Sequence, residues 1–211
     1  MRVLPILFNT EMVRAILDEK KTCTRRLVKP QPDENHIYTL GIVTDSTEKK
    51  DVGYFGFGVN EYGCSIQYAR LPYQPGDILY VRETWGHPIS LNSDKQYVFR
   101  ADKIAESGFK NDSHIWYPSI HMPKEAARIW LKVTDVRVER LQDITIEGIR
   151  KEGLEPRFNV KDKFSDGIAR GRFLELWDST IKKSDLDRYG WDANPWVWVV
   201  EFERCEEPEV N

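Results

Sequence analysis

Residues that build a disulfide or metal framework are scarce in this chain. Its three cysteines, Cys23, Cys64 and Cys205, are odd in number and scattered, with no CxxC pair. That argues against a disulfide scaffold, favours a reducing compartment and leads us to expect a cytoplasmic protein. The four histidines, His36, His87, His114 and His121, show no i,i+4 pairing, so no metal site and no cofactor are expected. No run approaches the roughly 18 apolar residues of a membrane span, which excludes a transmembrane helix. The opening MRVLPILFNT has a short apolar stretch followed at once by Glu11 and Arg14, with no small-residue cleavage site, and is not expected to be a signal peptide. An excess of positive charge is missing as well: 31 Lys and Arg face 34 Asp and Glu, for a net charge of −3. A generic nucleic-acid coat is thereby disfavoured, and any basic site has to be local.

What is present is ordinary for a globular chain: 211 residues, 40% hydrophobic and 31% charged, without internal repeats. One elaborated domain over residues 1–211 is expected, with insertions at about 33–72 and 86–120. The densest basic stretch is Lys20 to Arg26. Before it, Met12, Val13, Ile16 and Leu17 recur with the spacing of one helical face, capped by Asn9 or Thr10. After it, Thr22, Thr24 and Arg26 alternate with Cys23, Arg25 and Leu27, a strand period. Lys21 therefore falls at a helix-to-strand joint. An amine beside hydroxyls and guanidinium groups can activate a nucleophile or grip an anionic ligand. A solvated basic turn is the plain alternative.

Further along, Val3–Leu7 reads as a strand, and Pro75-Gly76-Asp77 is a turn launching a strand from Ile78 to Trp85. In that strand Leu79, Val81, Glu83 and Trp85 share a face. Glu83 is then an inward carboxylate whose natural partners are Arg25, Arg26 or Lys21, or else a hydrated rim residue. Tyr97–Arg100 reads as another strand. Ile129–Leu141 is the strongest strand signal, with a change of phase near Thr134-Asp135 that predicts a bulge. Asp143-Ile144-Thr145 caps a short helix, Ile146 to Glu152, stopped by Gly153. Phe173, Leu176, Trp177 and Ile181 form the apolar stripe of a later helix, and Asn194-Pro195 opens a last strand, Trp196–Glu203. The fold class expected is α+β, a barrel-like mixed and antiparallel sheet with short flanking helices. Most of the seven tryptophans are expected to be packing residues, with Trp85 the candidate for stacking on a base.

The order of these motifs resembles the ASCH domain, a PUA-like β-barrel. The elements are the amphipathic helix, Lys21-Thr22-Cys23-Thr24-Arg25-Arg26, Pro75-Gly76-Asp77 leading into Val81-Arg82-Glu83, the long strand, and the capped helix ending in Glu152-Gly153. SIHMPKEAAR, VRVERLQDIT and the closing NPWVWV are similar to phage and prophage ASCH proteins. The resemblance implies a cleft suited to a nucleoside or RNA ligand. Small bacterial members of the family are amidohydrolases acting on N4-acetylcytidine through a lysine, a threonine and a glutamate. Those roles carry over onto Lys21, Thr24 and Glu152. Arg25, Arg26, Arg82, Glu83 and Trp85 are the candidate substrate or nucleic-acid contacts.

Three functions stay open at this level: an amidohydrolase on an acylated nucleoside or nucleobase, a non-catalytic RNA- or nucleotide-binding module, and a metal-independent ribonuclease. Lys21 could serve as a base or as an electrostatic clamp. Because a carboxylate is disfavoured at a helix C-terminus, Glu152 is expected to point inward and pair with Lys21, and Glu152→Gln to keep the fold. No membrane partner is expected.

Overall fold

Strand β1 (Val3–Leu7) and helix α1 (Thr10–Leu17) form where the sequence pattern puts them. The Asn9 side chain accepts from Met12 N at 2.8 Å, closing the first turn, and Val13 and Ile16 are buried. The computed structural model describes residues 1–45, 48–88, 96–102, 115–154 and 163–208. Strand β2 (Cys23–Leu27) follows, then β3 (Tyr38–Ile42), β4 (Tyr54–Gly58) and β5 (Ile66–Arg70), and then β6 (Ile78–Arg82). Short strands β7 (Trp85–Gly86) and β8 (Val98–Phe99) precede the long β9 (Trp130–Arg140). Helices α2 (Ile146–Lys151), α3 (Lys163–Ser179) and α4 (Leu186–Tyr189) come before the closing strand β10 (Trp196–Cys205). No helix among the described residues is long and apolar enough to cross a membrane.

The fold is α+β around a mixed five-stranded sheet in the order β1-β6-β9-β10-β2, parallel at β1/β6 and antiparallel elsewhere. Edge strands of a flat five-stranded sheet lie roughly 19 Å apart. Here Arg26 of β2 donates to the Leu7 carbonyl at the end of β1 over 2.7 Å, so the sheet rolls until its edges meet. The barrel-like expectation holds in that sense. The closure between β1 and β2 runs through side chains, with no backbone ladder between them among the described residues. The bulge predicted in the long strand is present: β10 pairs Glu201 with Asp135 and Phe202 with Val133, which leaves Thr134 unopposed.

Residues 33–72 hold a separate three-stranded sheet, β3-β4-β5. It is docked by aromatic contacts: Phe55 meets Trp198 edge-on at 5.6 Å, and Phe57 meets Trp196 at 5.5 Å. Phe57, Ala69 and Leu71 belong to the same buried cluster as Leu79, Leu131 and Val200. The expected strand from Ile78 to Trp85 is broken instead. β6 ends at Arg82, and Trp85-Gly86 pairs with β8 in a two-stranded sheet. The residues of that strand whose alternation suggested an inward face, Leu79, Val81, Glu83 and Trp85, are all buried.

Asp77 fastens the start of β6 to the chain's N-terminus. Its carboxylate accepts from Arg2 N at 3.2 Å, from Arg2 Nε at 3.0 Å and from Gln74 N at 2.8 Å. Burial by itself raises this carboxyl, but the bonds from Arg2 and Gln74 outweigh it and hold it below the usual range. A depressed native pKa stabilises the fold above the ordinary carboxylate range, and that stabilisation disappears as pH falls through the native value. Asp77→Ala is therefore expected to lose about 2 kcal/mol at pH 7. The gap to the parent should narrow in strong acid, as read by urea unfolding at neutral and acid pH. A gap that persists unchanged in acid would assign the effect to packing.

Candidate functional site

The joint between α1 and β2 builds the site. Lys20 N and Lys21 N both donate to Ala15 O, at 2.8 and 3.0 Å, which turns the chain back against the C-terminus of α2. There Thr22 N donates to Lys151 O at 2.9 Å, and Lys21 and Glu152 form an isolated antiparallel bridge. Helix α2 is capped by Thr145, whose hydroxyl accepts from Gly148 N at 3.0 Å. It ends on Gly153 with φ +86°. A Cβ at Gly153 would lie 2.7 Å from Ala15 Cβ and 3.1 Å from Lys21 Cβ. Glycine there satisfies the backbone turn and the close approach of α1 together.

Within this frame the expected inward Glu152 is realised. Lys21 Nζ donates to Glu152 Oε2 at 2.5 Å and to the Glu152 carbonyl at 3.1 Å, and the Lys21 side chain is 0% exposed. The second bond places a cation on an orphan carbonyl at a helix C-terminus, where the dipole favours it. Arg25 Nη1 reaches Glu152 Oε1 at 3.1 Å. The remaining edge of that guanidinium, Nε and Nη2, grips Glu139 Oε1 on β9 at 2.9 and 2.6 Å. Lys21, Arg25, Glu139 and Glu152 thus form a charge-balanced quartet in which each carboxylate holds a cation.

This quartet backs a cleft of about 330 Å³. Its polar lining includes Thr24, Arg25, Arg26 and Glu152. The opposite wall is apolar, with Phe173, Leu176, Trp177 and Ile181 contributed by α3 and the turn after it. The Trp177 indole N–H is committed to Tyr189 O at 2.8 Å, so it offers no donor to the cleft. The Thr24 hydroxyl has no partner among the described residues. Arg26 donates one Nη to Leu7 O and lies over the Phe8 ring at 5.3 Å, while its buried Nε–H has no partner among the described residues. Burial lowers the Arg26 pKa, outweighing the pull of Tyr73 and Glu152 in the other direction. Cys23, beside the quartet, has its thiol pushed up to about 12, first by burial and then by the Glu152 carboxylate, so it stays a thiol at neutral pH.

Three of the candidates do not join this site. Glu83 pairs with Arg128, at 2.9 Å from Nε to Oε1 and 3.1 Å from Nη2 to Oε2, and not with Arg25, Arg26 or Lys21. Arg82 donates through Nε to Met122 O at 2.8 Å and through Nη2 to Ile120 O, so it fastens the 119–122 turn and is not free for a phosphate. Trp85 is buried against Met122, Ala126 and Tyr97 and makes ring contacts with His87 and Tyr117, which leaves no open face for a base. The chain leaves the main sheet after Arg82, carrying Glu83 and Trp85 into a neighbouring cluster away from β2, and the Arg82 side chain at the end of β6 follows it to the 119–122 turn.

Sequence reasoning missed Glu139 and Lys29, the latter an exposed residue on the cleft rim. The alternating charges of Arg137 and Glu139 on a strand were the available signal for Glu139. The apolar stripe of α3 was legible, but not its role as a cleft wall.

No protein-family model matches the chain, and no curated protein matches it. Among solved structures it is similar to the ASCH domain from Lactobacillus crispatus JV V101. That similarity covers 96% of this chain and 79% of that one, at 10% identity and a TM-score of 0.37. Likeness at that level leaves the function to the chemistry of the site.

Proposed function

We propose that the cleft hydrolyses an N-acylated nucleoside or nucleobase of the N4-acetylcytidine type. The observation that carries this reading is the buried Glu152 carboxylate, held by Lys21 and Arg25 in the cleft lined by the unpartnered Thr24 hydroxyl. Buried charge clusters in clefts mark functional sites more often than ordinary surface pairs do. The motif resemblance adds the same three residues, Lys21, Thr24 and Glu152.

In this mechanism Thr24 orients a water against the acyl carbonyl, and Glu152 takes the water's proton as its oxygen adds to the carbon. The positive charge of Arg25, whose nitrogens are taken by Glu152 and Glu139, acts on the developing oxyanion through its field. Collapse breaks the C–N bond, and the proton passes from Glu152 to the leaving exocyclic amine, giving the acid and the free base. Lys21, the donor of both its bonds, acts as a clamp that fixes Glu152. Acetate release from N4-acetylcytidine is the assay, and Thr24→Val is expected to reduce it at least about 100-fold. Absence of turnover across a panel of acylated nucleosides by folded protein would sink the proposal.

One observation favours a second reading, a nucleotide-binding cleft without chemistry: the Thr24 hydroxyl makes no hydrogen bond to a proton acceptor among the described residues. Ligand binding that survives Thr24→Val with no turnover in either protein would select it.

A further inference from the structure

The quartet is balanced, but the cleft is not. The charged groups lining it are Arg25, Arg26, Lys29 and Glu152, and their direct partners are Lys21 and Glu139. Lys21 and Arg25 are met by Glu152 and Glu139. The more distant Arg137, 3.9 Å from Glu139, is itself met by Asp135 and Glu201. Arg26 and Lys29 are left without a carboxylate in ion-pair contact among the described residues. Arg26 bonds the Leu7 carbonyl and lies over the Phe8 ring, with Glu152 and Tyr73 acting on it only at longer range, and Lys29 lies over the Tyr189 ring at 5.8 Å. The Arg26 Nε–H is buried and unpaired, one Nη is taken by Leu7 O, and no carboxylate touches the guanidinium, which leaves its other Nη to meet an anion in the cleft.

We infer that Arg26 and Lys29 form a phosphate subsite, and that the ligand of this cleft is a nucleoside monophosphate whose terminal dianion they bind. Two unmatched positive charges suit a phosphate monoester, which carries close to two negative charges at neutral pH. A backbone phosphodiester brings one. Arginine supplies directional N–H donors and lysine a flexible ammonium, a usual pairing at phosphates. The cleft volume of about 330 Å³ is at the small end of ligand sites, which span about 300–1,000 Å³, and it suits one nucleotide better than a strand. This inference rests on the nucleoside reading of the cleft, but it does not require catalysis.

Titration calorimetry on the full chain with cytidine, cytidine 5′-monophosphate and an RNA pentamer lacking terminal phosphates tests it. The monophosphate is expected to bind at least about 10-fold tighter than cytidine, because charge-assisted contacts to phosphate each add substantially. Lys29→Gln, a change at an exposed position, should shrink that ratio several-fold, and raised salt should shrink it too. Equal affinities for cytidine and its monophosphate would overturn the subsite, and so would failure of both to bind. Tighter binding of the pentamer than of the monophosphate would replace it with a strand-binding groove. Acetate release from N4-acetylcytidine, run in parallel, separates the two proposals. A phosphate-dependent affinity without acetate release keeps the subsite and removes the hydrolase, whereas acetate release with equal affinities does the reverse.

Discussion

Arg128→Ala is expected to lose about 3–5 kcal/mol of stability, because it strands a buried carboxylate. Glu83 is 1% exposed, and Arg128 meets both of its oxygens as a fork. Arg128 also holds Asp102 at 2.6 Å and stacks on Phe99 at 4.0 Å, so its removal loosens the β7–β8 region as well. Burial already raises the Glu83 carboxyl, and Arg128 offsets only part of that. In the variant the native pKa stands further above the unfolded one. The variant is then least compromised below the ordinary carboxylate range and loses stability as pH rises through the native value. Adding Glu83→Gln should recover much of the loss at neutral pH, since an amide needs no counter-charge. Chemical unfolding of the parent and both variants at pH 5 and pH 8 checks this. A single-variant loss below about 1 kcal/mol would show that Glu83 is hydrated or otherwise matched.

Glu152→Gln is expected to be worse than Lys21→Met, in stability and in turnover alike. Glu152 carries two cations, so deleting Lys21 leaves its carboxylate facing Arg25. Deleting the Glu152 charge leaves the Lys21 ammonium wholly buried with no other carboxylate in contact, while Arg25 retains Glu139. The expected losses are about 3–5 kcal/mol for Glu152→Gln and about 1–2 kcal/mol for Lys21→Met. This revises the expectation drawn from sequence that Glu152→Gln leaves the fold untouched. Where enough folded protein remains, Glu152→Gln should lower turnover by about 100-fold or more. Thermal melts paired with acetate release decide the matter, and the reverse stability order would mean that the ammonium, not the carboxylate, holds the site together.

The two variants probe different parts of the molecule. The Glu83–Arg128 pair concerns how the chain leaves the main sheet and stays folded, with no claim on the ligand. The Lys21–Glu152 pair joins the closing of α1 onto α2 to the chemistry of the cleft, since the bond that fixes the carboxylate also caps the helix.

The sequence by itself determined the elements whose signals are local. The 3.6-residue stripe of α1, the cap within Asp143-Ile144-Thr145, the Gly153 stop and the phase change near Thr134-Asp135 are each encoded within a few residues, and each is present. The pairing of Lys21 with Glu152 was also legible, because motif order and the helix-end charge argument pointed to the same carboxylate. What tertiary structure alone decided is which partner each buried charge takes. The strand order β1-β6-β9-β10-β2 puts β6 beside β1 and β9, and β2 beside β10. Glu83, just past β6, therefore meets Arg128 just before β9. Arg25 on β2 reaches across β10 to Glu139, 114 residues away in sequence. Nothing in the residues around Glu83 or Arg25 specifies those distances. A buried charge is matched by whichever opposite charge the sheet order brings within reach, and that order is set by the burial of whole strands rather than by the spacing within any one of them.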